Sequence, residues 1–196
     1  MSAAGAAEPF GLLLIKGFLG ERERREIVAE MRAARGGPAT VYGRGGSGSV
    51  DERVRSASRL SLPEATVEAL RGRLSGLKRE VEEHFGLSLG ECEEPQFLRY
   101  GPGDFFVAHQ DGNTGMLRLE QESRLVSVVI FLSRRGEGQD DGDYGGGSLV
   151  FHERRGAGRF PLAGEPGDLV AFRAETTHEV TPVTSGERLS IACWYR

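Results

Sequence analysis

Two histidines and an aspartate set the chemistry open to this sequence. His109-Gln110-Asp111 places an imidazole and a carboxylate two residues apart, and His178-Glu179-Val180 supplies a second imidazole far along the chain. On an extended strand, residues i and i+2 leave the same face, so His109 and Asp111 can address one point while His178 reaches it from another strand. Two imidazoles and one carboxylate on one face of an octahedral ion leave the opposite face open, which suits a non-haem Fe(II) that must also bind dioxygen. The ligands have to be neutral imidazoles and an ionised carboxylate, so affinity for the ion should fall as pH drops.

Arg188 is the second chemical signal. On a closing strand, Arg188, Ser190, Ala192 and Trp194 share one face, while Leu189, Ile191, Cys193 and Tyr195 share the other. An arginine on the inner face of a barrel needs an anionic partner, because an unpaired buried charge is very costly. Its forked donors suit a carboxylate better than a lysine ammonium does.

These side chains need strands to carry them. From residue 96 onward the pattern reads as short strands at 96–100, 105–110, 125–132, 148–152, 168–173 and 189–195, separated by Gly-rich turns. Residues 125–132 are almost continuously apolar, which predicts a strand covered on both faces. Before them, 11–18 reads as an opening strand and 21–35 as a helix with Ile27, Met31 and Ala34 on one face. Gly36-Gly37-Pro38 should stop that helix. Residues 54–62 could form a strand. Ser61-Leu62-Pro63-Glu64 has the form of a capping box. The helix it opens carries Val67, Leu70, Leu74, Leu77, Val81 and Phe85 at spacings of three and four, with Gly86 as C-cap. Many short strands with Gly-rich turns argue for a sandwich or barrel.

In order and spacing, Tyr100-Gly101-Pro102-Gly103-Asp104, His109-Gln110-Asp111, Gly146-Gly147-Ser148-Leu149, Pro166-Gly167-Asp168, His178-Glu179-Val180 and Arg188 to Tyr195 resemble the catalytic domain of the 2-oxoglutarate/Fe(II)-dependent dioxygenases, specifically the prolyl 4-hydroxylase-like branch. The resemblance covers about half the chain. It implies a mainly β protein, a double-stranded β-helix (jelly-roll) barrel with the two helices against one sheet. Residues 96–196 would be its catalytic core and 1–95 a support region within a single domain, 1–196. It also implies Fe(II) held by His109, Asp111 and His178, with 2-oxoglutarate as cosubstrate held by Arg188 and Ser190. Dioxygen would be the oxidant and ascorbate a reductant; a C–H bond would be hydroxylated with release of succinate and carbon dioxide. In animal oxygen-sensing prolyl hydroxylases, which the chain resembles in spacing, a tyrosine also contacts the cosubstrate; Phe131 stands at that place. Tyr100, on the preceding strand, is the candidate replacement.

For the substrate, the resemblance favours a prolyl residue in a peptide or protein, with a free amino acid or small metabolite as the alternative. The Gly-rich segment 36–50 occupies the place of the mobile loop that covers the substrate in relatives, which makes Tyr42 and Arg44, with Trp194, candidate substrate contacts. A non-catalytic jelly roll, or one using another metal, would be a different class of protein. Dependence on 2-oxoglutarate separates the three.

Composition bounds these readings. The chain has 196 residues, 38% hydrophobic and 28% charged, with a net charge of -4, which offers no broad basic surface for nucleic acid. The apolar run at Leu12 to Ile15 is too short for a signal core or a membrane span, so the expected setting is cytoplasmic, away from membranes. Cys92 and Cys193 form no spaced framework, and a reducing compartment is the simpler reading. Glycines cluster at 36–48, 101–115 and 136–147, which predicts long loops. His84 and His152 read as ordinary boundary histidines. Glu137, Asp140, Asp141 and Asp143 lack the spacing of a calcium loop.

Overall fold

The computed structural model describes residues 10–39, 41–42, 48–49, 53–112, 124–136, 144–153, 158–162 and 164–196. The first half carries β1 (Leu13–Ile15), helix α1 (Glu21–Ala33), β2 (Gly36–Pro38), β3 (Val41–Tyr42), β4 (Gly48–Ser49), β5 (Arg55–Ser56), β6 (Ser58–Leu60) and helix α2 (Glu64–Phe85). Among the described residues, the regular elements of the second half are all strands: β7 (Gln96–Tyr100), β8 (Phe105–His109), β9 (Val126–Phe131), β10 (Tyr144–Gly146), β11 (Leu149–His152) and β12 (Arg159–Leu162). It closes with β13 (Leu169–Arg173), β14 (His178–Val180), β15 (Val183–Gly186) and β16 (Arg188–Tyr195).

Two antiparallel sheets face each other as a jelly roll. The larger has seven strands in the order β1-β13-β9-β16-β7-β6-β2, and the smaller has five, β12-β11-β14-β8-β5. Alternation along the strands decides what faces where. Val126, Val128 and Ile130 of β9, Leu169 and Ala171 of β13, and Leu189, Ile191, Cys193 and Tyr195 of β16 join one cluster with Ile27, Met31, Leu70, Leu74, Val81 and Phe85 of the helices. The apolar stripes of both helices therefore cover the outer face of the larger sheet, as their spacing predicts. The alternate residues Phe131, Val170 and Phe172 point inward to Leu149 and Phe151 of the smaller sheet. β9 lies between β13 and β16 and is buried on both faces, which accounts for its unbroken apolar run.

Several expectations need correction. Residues 54–62 do not make one strand: the chain breaks at Ala57, sending β5 to the smaller sheet and β6 to the larger. Gly36 to Pro38, expected only as a helix stop, pair with β6 as an edge strand. The Gly-rich segment beyond them contains the β3–β4 pairing. The expected capping box does not form: α2 starts at Glu64 with Pro63 as its N-cap and no side-chain cap, so Ser61 lies outside the first turn. Its C-cap is as expected, with Gly86 in the left-handed conformation at φ 61°. Cys92 and Cys193, read from the sequence as unrelated thiols, form a disulfide with their Cα atoms 6.8 Å apart. Their pairing follows from the fold, because the Cys92 segment bridges to Tyr195 at the end of β16. Among the described residues no helix is long and apolar enough to cross a membrane.

The Pro166-Gly167-Asp168 turn ties the N-terminal strand to this frame. Gly167, at φ +95°, sits so close to the Leu19 carbonyl that an added Cβ would lie 2.6 Å from it. The Asp168 carboxylate accepts hydrogen bonds from Lys16 Nζ (2.6 Å), Gly17 N (2.9 Å) and Glu165 N (3.1 Å). Burial alone would raise its pKa, but these donors outweigh that and hold it below the usual carboxylate range. A depressed folded-state pKa adds stability above the unfolded value, and that stability is lost as pH falls through the folded one. Asp168→Ala should cost about 1–3 kcal/mol in urea unfolding at neutral pH. The gap from wild type should narrow below the ordinary carboxylate pKa; a gap that widens in acid would contradict this account.

Candidate functional site

The pairing of β14 with β8 sets His178 directly opposite His109. Their ring centroids lie 4.2 Å apart. Asp111 follows one turn of chain later, where its N–H and that of Gly112 both donate to the Ala174 carbonyl at 2.9 Å. Gly112 is required there, since a Cβ would lie 2.6 Å from the Arg124 carbonyl oxygen and 2.9 Å from Ala174 Cβ. Asp111 Oδ1 then lies 3.4 Å from His109 Nε2, and Oδ2 lies 3.5 Å from His178 Nε2. One ligand atom from each of the three residues falls within 4.8 Å of the others.

Backbone carbonyls choose the tautomer of each histidine. His109 Nδ1 is 2.9 Å from the Val107 carbonyl and His178 Nδ1 is 3.0 Å from that of Thr176. A carbonyl only accepts, so each Nδ1 carries the proton and each Nε2 turns a lone pair toward Asp111, the usual preparation of a metal-binding histidine. Aromatic rings hold the imidazoles in place. Phe106 stacks on His109 at 3.6 Å, with the Arg55 guanidinium 4.7 Å over its ring, and Phe172 meets His178 edge-on at 4.7 Å.

The electrostatics agree with that preparation. Burial would raise the Asp111 pKa, but the attraction of its imidazole neighbours, His178 first and then His109, in their protonated forms outweighs it and keeps the carboxyl well below its ordinary range. Burial pushes His178 down to about 4; Asp111 pulls it upward and His109 adds to the fall. At neutral pH, Asp111 is therefore a carboxylate and His178 a neutral imidazole, the states a divalent cation needs. The donor set fits Fe(II).

Arg188 lies farther along the same interior, paired in register with Tyr100, whose ring is 5.2 Å from the guanidinium carbon. It is 3% exposed. Its NH1 donates to Ser190 Oγ at 2.8 Å, while its Nε is buried with no hydrogen-bond partner among the described residues. A buried guanidinium with an unused donor calls for an anion, and a carboxylate answers it bidentately. Phe131 stands opposite Ser190 on β9 and is buried among Leu149, Phe151, Val170 and Phe172. The strand position read from the sequence holds, and its ring joins the apolar cluster between the two sheets.

The fold thus brings His109, Asp111 and His178 into one cluster, and Arg188, Ser190 and Tyr100 into a second. Trp194, on the same inward face of β16, is 6% exposed with Arg124 lying 3.7 Å over its ring. Of the other candidates, the Tyr42 side chain and Arg44 lie outside the described residues, as do Glu137, Asp140, Asp141 and Asp143. His84 contacts the Gly11 carbonyl and His152 faces Glu179, away from the triad. Sequence reasoning missed Ser127, whose hydroxyl donates to Asp111 Oδ2 at 2.8 Å. Its signal was present: Ser127 is the one polar residue in the apolar run 125–132.

Residues 95–196 match the sequence pattern of the 2OG-Fe(II) oxygenase superfamily. The chain belongs to that superfamily. It is 31% identical over 188 residues to a PKHD-type hydroxylase of Teredinibacter turnerae, covering 93% of this chain and 76% of that one. It is 37% identical over 101 residues to a PKHD-type hydroxylase of Paraburkholderia phytofirmans, matching 51% of this chain and only 41% of the relative's length. Among solved structures, a Pseudomonas putida prolyl-4-hydroxylase has the same fold, with a TM-score of 0.71 at 24% identity over 98% of this chain and 95% of that one. So does a Trichoplax adhaerens prolyl hydroxylase in complex with a hypoxia inducible factor peptide fragment, at 0.70 and 18% over 97% and 86%. Fe(II) and 2-oxoglutarate are the metal and cosubstrate that the superfamily implies.

Within this superfamily member, Gly147 packs directly against the Arg188 stem. Its φ is +54°, and a Cβ would lie 3.0 Å from Tyr144 and Val183 side-chain atoms and 3.1 Å from Arg188 Cδ. Gly147→Ala should displace the Arg188 stem and weaken 2-oxoglutarate binding several-fold or more, at a stability cost of about 1–2 kcal/mol for the left-handed backbone. Binding titrations of metal and cosubstrate check this: metal affinity should hold, and equal loss of both would contradict it.

Proposed function

We propose that this protein is a 2-oxoglutarate- and Fe(II)-dependent hydroxylase whose substrate is a prolyl residue of a peptide or protein. The observation that carries the reading is the presence, inside one barrel, of a prepared His-Asp-His cluster and a buried arginine with an unused donor. The relatives named as PKHD-type hydroxylases support hydroxylation, and the prolyl hydroxylases of like fold support the choice of substrate.

His109 Nε2, His178 Nε2 and the Asp111 carboxylate would hold the ion. Bound there with 2-oxoglutarate, Fe(II) supplies oxidising power from dioxygen, with succinate and carbon dioxide as co-products. The protein's part is placement and exclusion of water. Arg188 turns its free Nε–H to the distal carboxylate. Ser190 Oγ accepts from Arg188 NH1, which leaves the hydroxyl hydrogen for the same carboxylate. The Tyr100 ring backs the guanidinium and its hydroxyl is a further donor, while Phe131, Phe151 and Phe172 keep the pocket dry.

The test is to supply Fe(II), ascorbate, 2-oxoglutarate and a panel of prolyl peptides, free proline and other free amino acids, measuring succinate and the mass of each acceptor. Prolyl peptides should gain one oxygen in step with succinate. Oxygen gained only by free amino acids would overturn the peptide assignment, and no 2-oxoglutarate turnover with any acceptor would count against the hydroxylase reading. Arg188→Ala should raise the KM for 2-oxoglutarate on the order of 100-fold, as expected for breaking a buried ion pair. Its metal affinity should be unchanged.

A further inference from the structure

Asp111 has neighbours besides the two histidines. Ser127 and Trp194 are Cα partners on β9 and β16, and both sit on the inward face of the larger sheet. Ser127 donates to Asp111 Oδ2 at 2.8 Å. The Trp194 Nε1 is buried and makes no hydrogen bond among the described residues. It sits on the inward face directly across from Ser127, the residue that donates to Asp111, which places the indole beside that carboxylate.

The indole is clamped from its other side. The Arg124 guanidinium lies 3.7 Å over the Trp194 ring. Arg124 is itself held bidentately by Glu93, Nε at 2.9 Å and NH2 at 2.7 Å, and Arg196 Nε reaches the same carboxylate at 2.9 Å. Backbone bonds brace the assembly: Glu93 N donates to the Trp194 carbonyl and Leu125 N to the Tyr195 carbonyl, both at 2.8 Å. A planar fork paired with a carboxylate on one edge and stacked on a ring across its face has little freedom left. The clamp therefore fixes the rotation of the indole beside a metal ligand.

We propose that Trp194 is a positioning residue, held by the Glu93–Arg124 clamp so that its N–H and the Ser127 hydroxyl together orient the Asp111 carboxylate for binding metal through one oxygen. A carboxylate free to turn could chelate with both oxygens and take one of the positions that the cosubstrate or dioxygen needs. Outer partners of ligating carboxylates tune metal affinity in this way, typically by 10–100-fold. The inference rests on the metal-centre reading above and adds to it a path from Glu93, outside the triad, to a ligand inside it.

The experiment uses Co(II) as a spectroscopic probe in the full chain. Affinity comes from titration, coordination geometry from the visible d–d bands, and stability from the melting temperature of the metal-free protein. Trp194→Phe keeps an aromatic ring under Arg124 but removes the N–H together with part of the buried bicycle's volume. It should raise the Co(II) Kd about 10–100-fold and shift the d–d bands, a larger effect than the accompanying fall in the metal-free melting temperature explains, and Ser127→Ala, which removes only a hydroxyl, should move both metal readouts the same way. Arg124→Lys keeps the charge toward Glu93 but loses the flat stack, and it should move both metal readouts in the same direction by less. If Trp194→Phe folds poorly, Arg124→Lys and Ser127→Ala carry the test. Wild-type affinity and bands in the variants, or affinity lost only in step with melting temperature, would overturn the inference while leaving the metal centre standing. Failure of the wild type to bind Co(II) at all would overturn both.

Discussion

The register in which β14 meets β8 is the constraint on which the rest of the site depends. It sets His178 across from His109, and the shared Ala174 carbonyl then turns the chain so that Asp111 joins them. A one-residue slip in either strand would send an imidazole to the opposite face of the sheet. Each histidine also spends its Nδ1 proton on the carbonyl two residues before it, Val107 within β8 and Thr176 in the turn that leads into β14, so local backbone geometry fixes the chemical state of the ring as well as its place. Position and protonation have one cause.

That constraint is carried by a frame built to keep strands from sliding. β9 lies between β13 and β16 at the centre of the larger sheet, and the two helices bury their apolar stripes on its outer face. Tyr195 donates to the Leu74 carbonyl and Arg173 to that of Phe85, which pins α2 to the strands that carry the site. With the outside held, the inner face can accommodate groups that a core would ordinarily reject. Asp111, His178, Ser127, Ser190 and Arg188 all face the interior, and most have partners for their polar atoms. Two donors on the inner face of β16, Arg188 Nε and Trp194 Nε1, have no hydrogen-bond partner among the described residues, and the buried guanidinium is the one that calls for an anion.

Much of this was legible in the sequence because it follows from period and spacing. The stripe from Leu70 to Phe85 gave the long helix and its buried face, and alternation along 188–195 separated Arg188 and Ser190 from Leu189 and Ile191. The His-x-Asp spacing marked two ligands, although only the ordered set of motifs joined His178 to them. What escaped had non-local causes. The break at Ala57 arises because β5 and β6 pair with different sheets, and a nine-residue window holds no sign of that. The disulfide joins residues 101 positions apart and depends on the bridge from Cys92 to Tyr195. The Glu93–Arg124–Trp194 assembly draws on three segments whose side chains meet only in the fold. Short strands such as β10 and β15, rich in glycine and small polar residues, carry too little apolar pattern to be seen alone.

The central claim is that one barrel holds Fe(II) on His109, Asp111 and His178 and 2-oxoglutarate at Arg188 so that both meet at a single centre. The most direct measurement is the visible metal-to-ligand charge-transfer absorption on mixing the protein anaerobically with Fe(II) and 2-oxoglutarate, since that band requires the cosubstrate to chelate the bound ion. The account predicts a band in the wild type that needs both components and is absent in His109→Ala. Tight Fe(II) binding with no band on adding 2-oxoglutarate would contradict it.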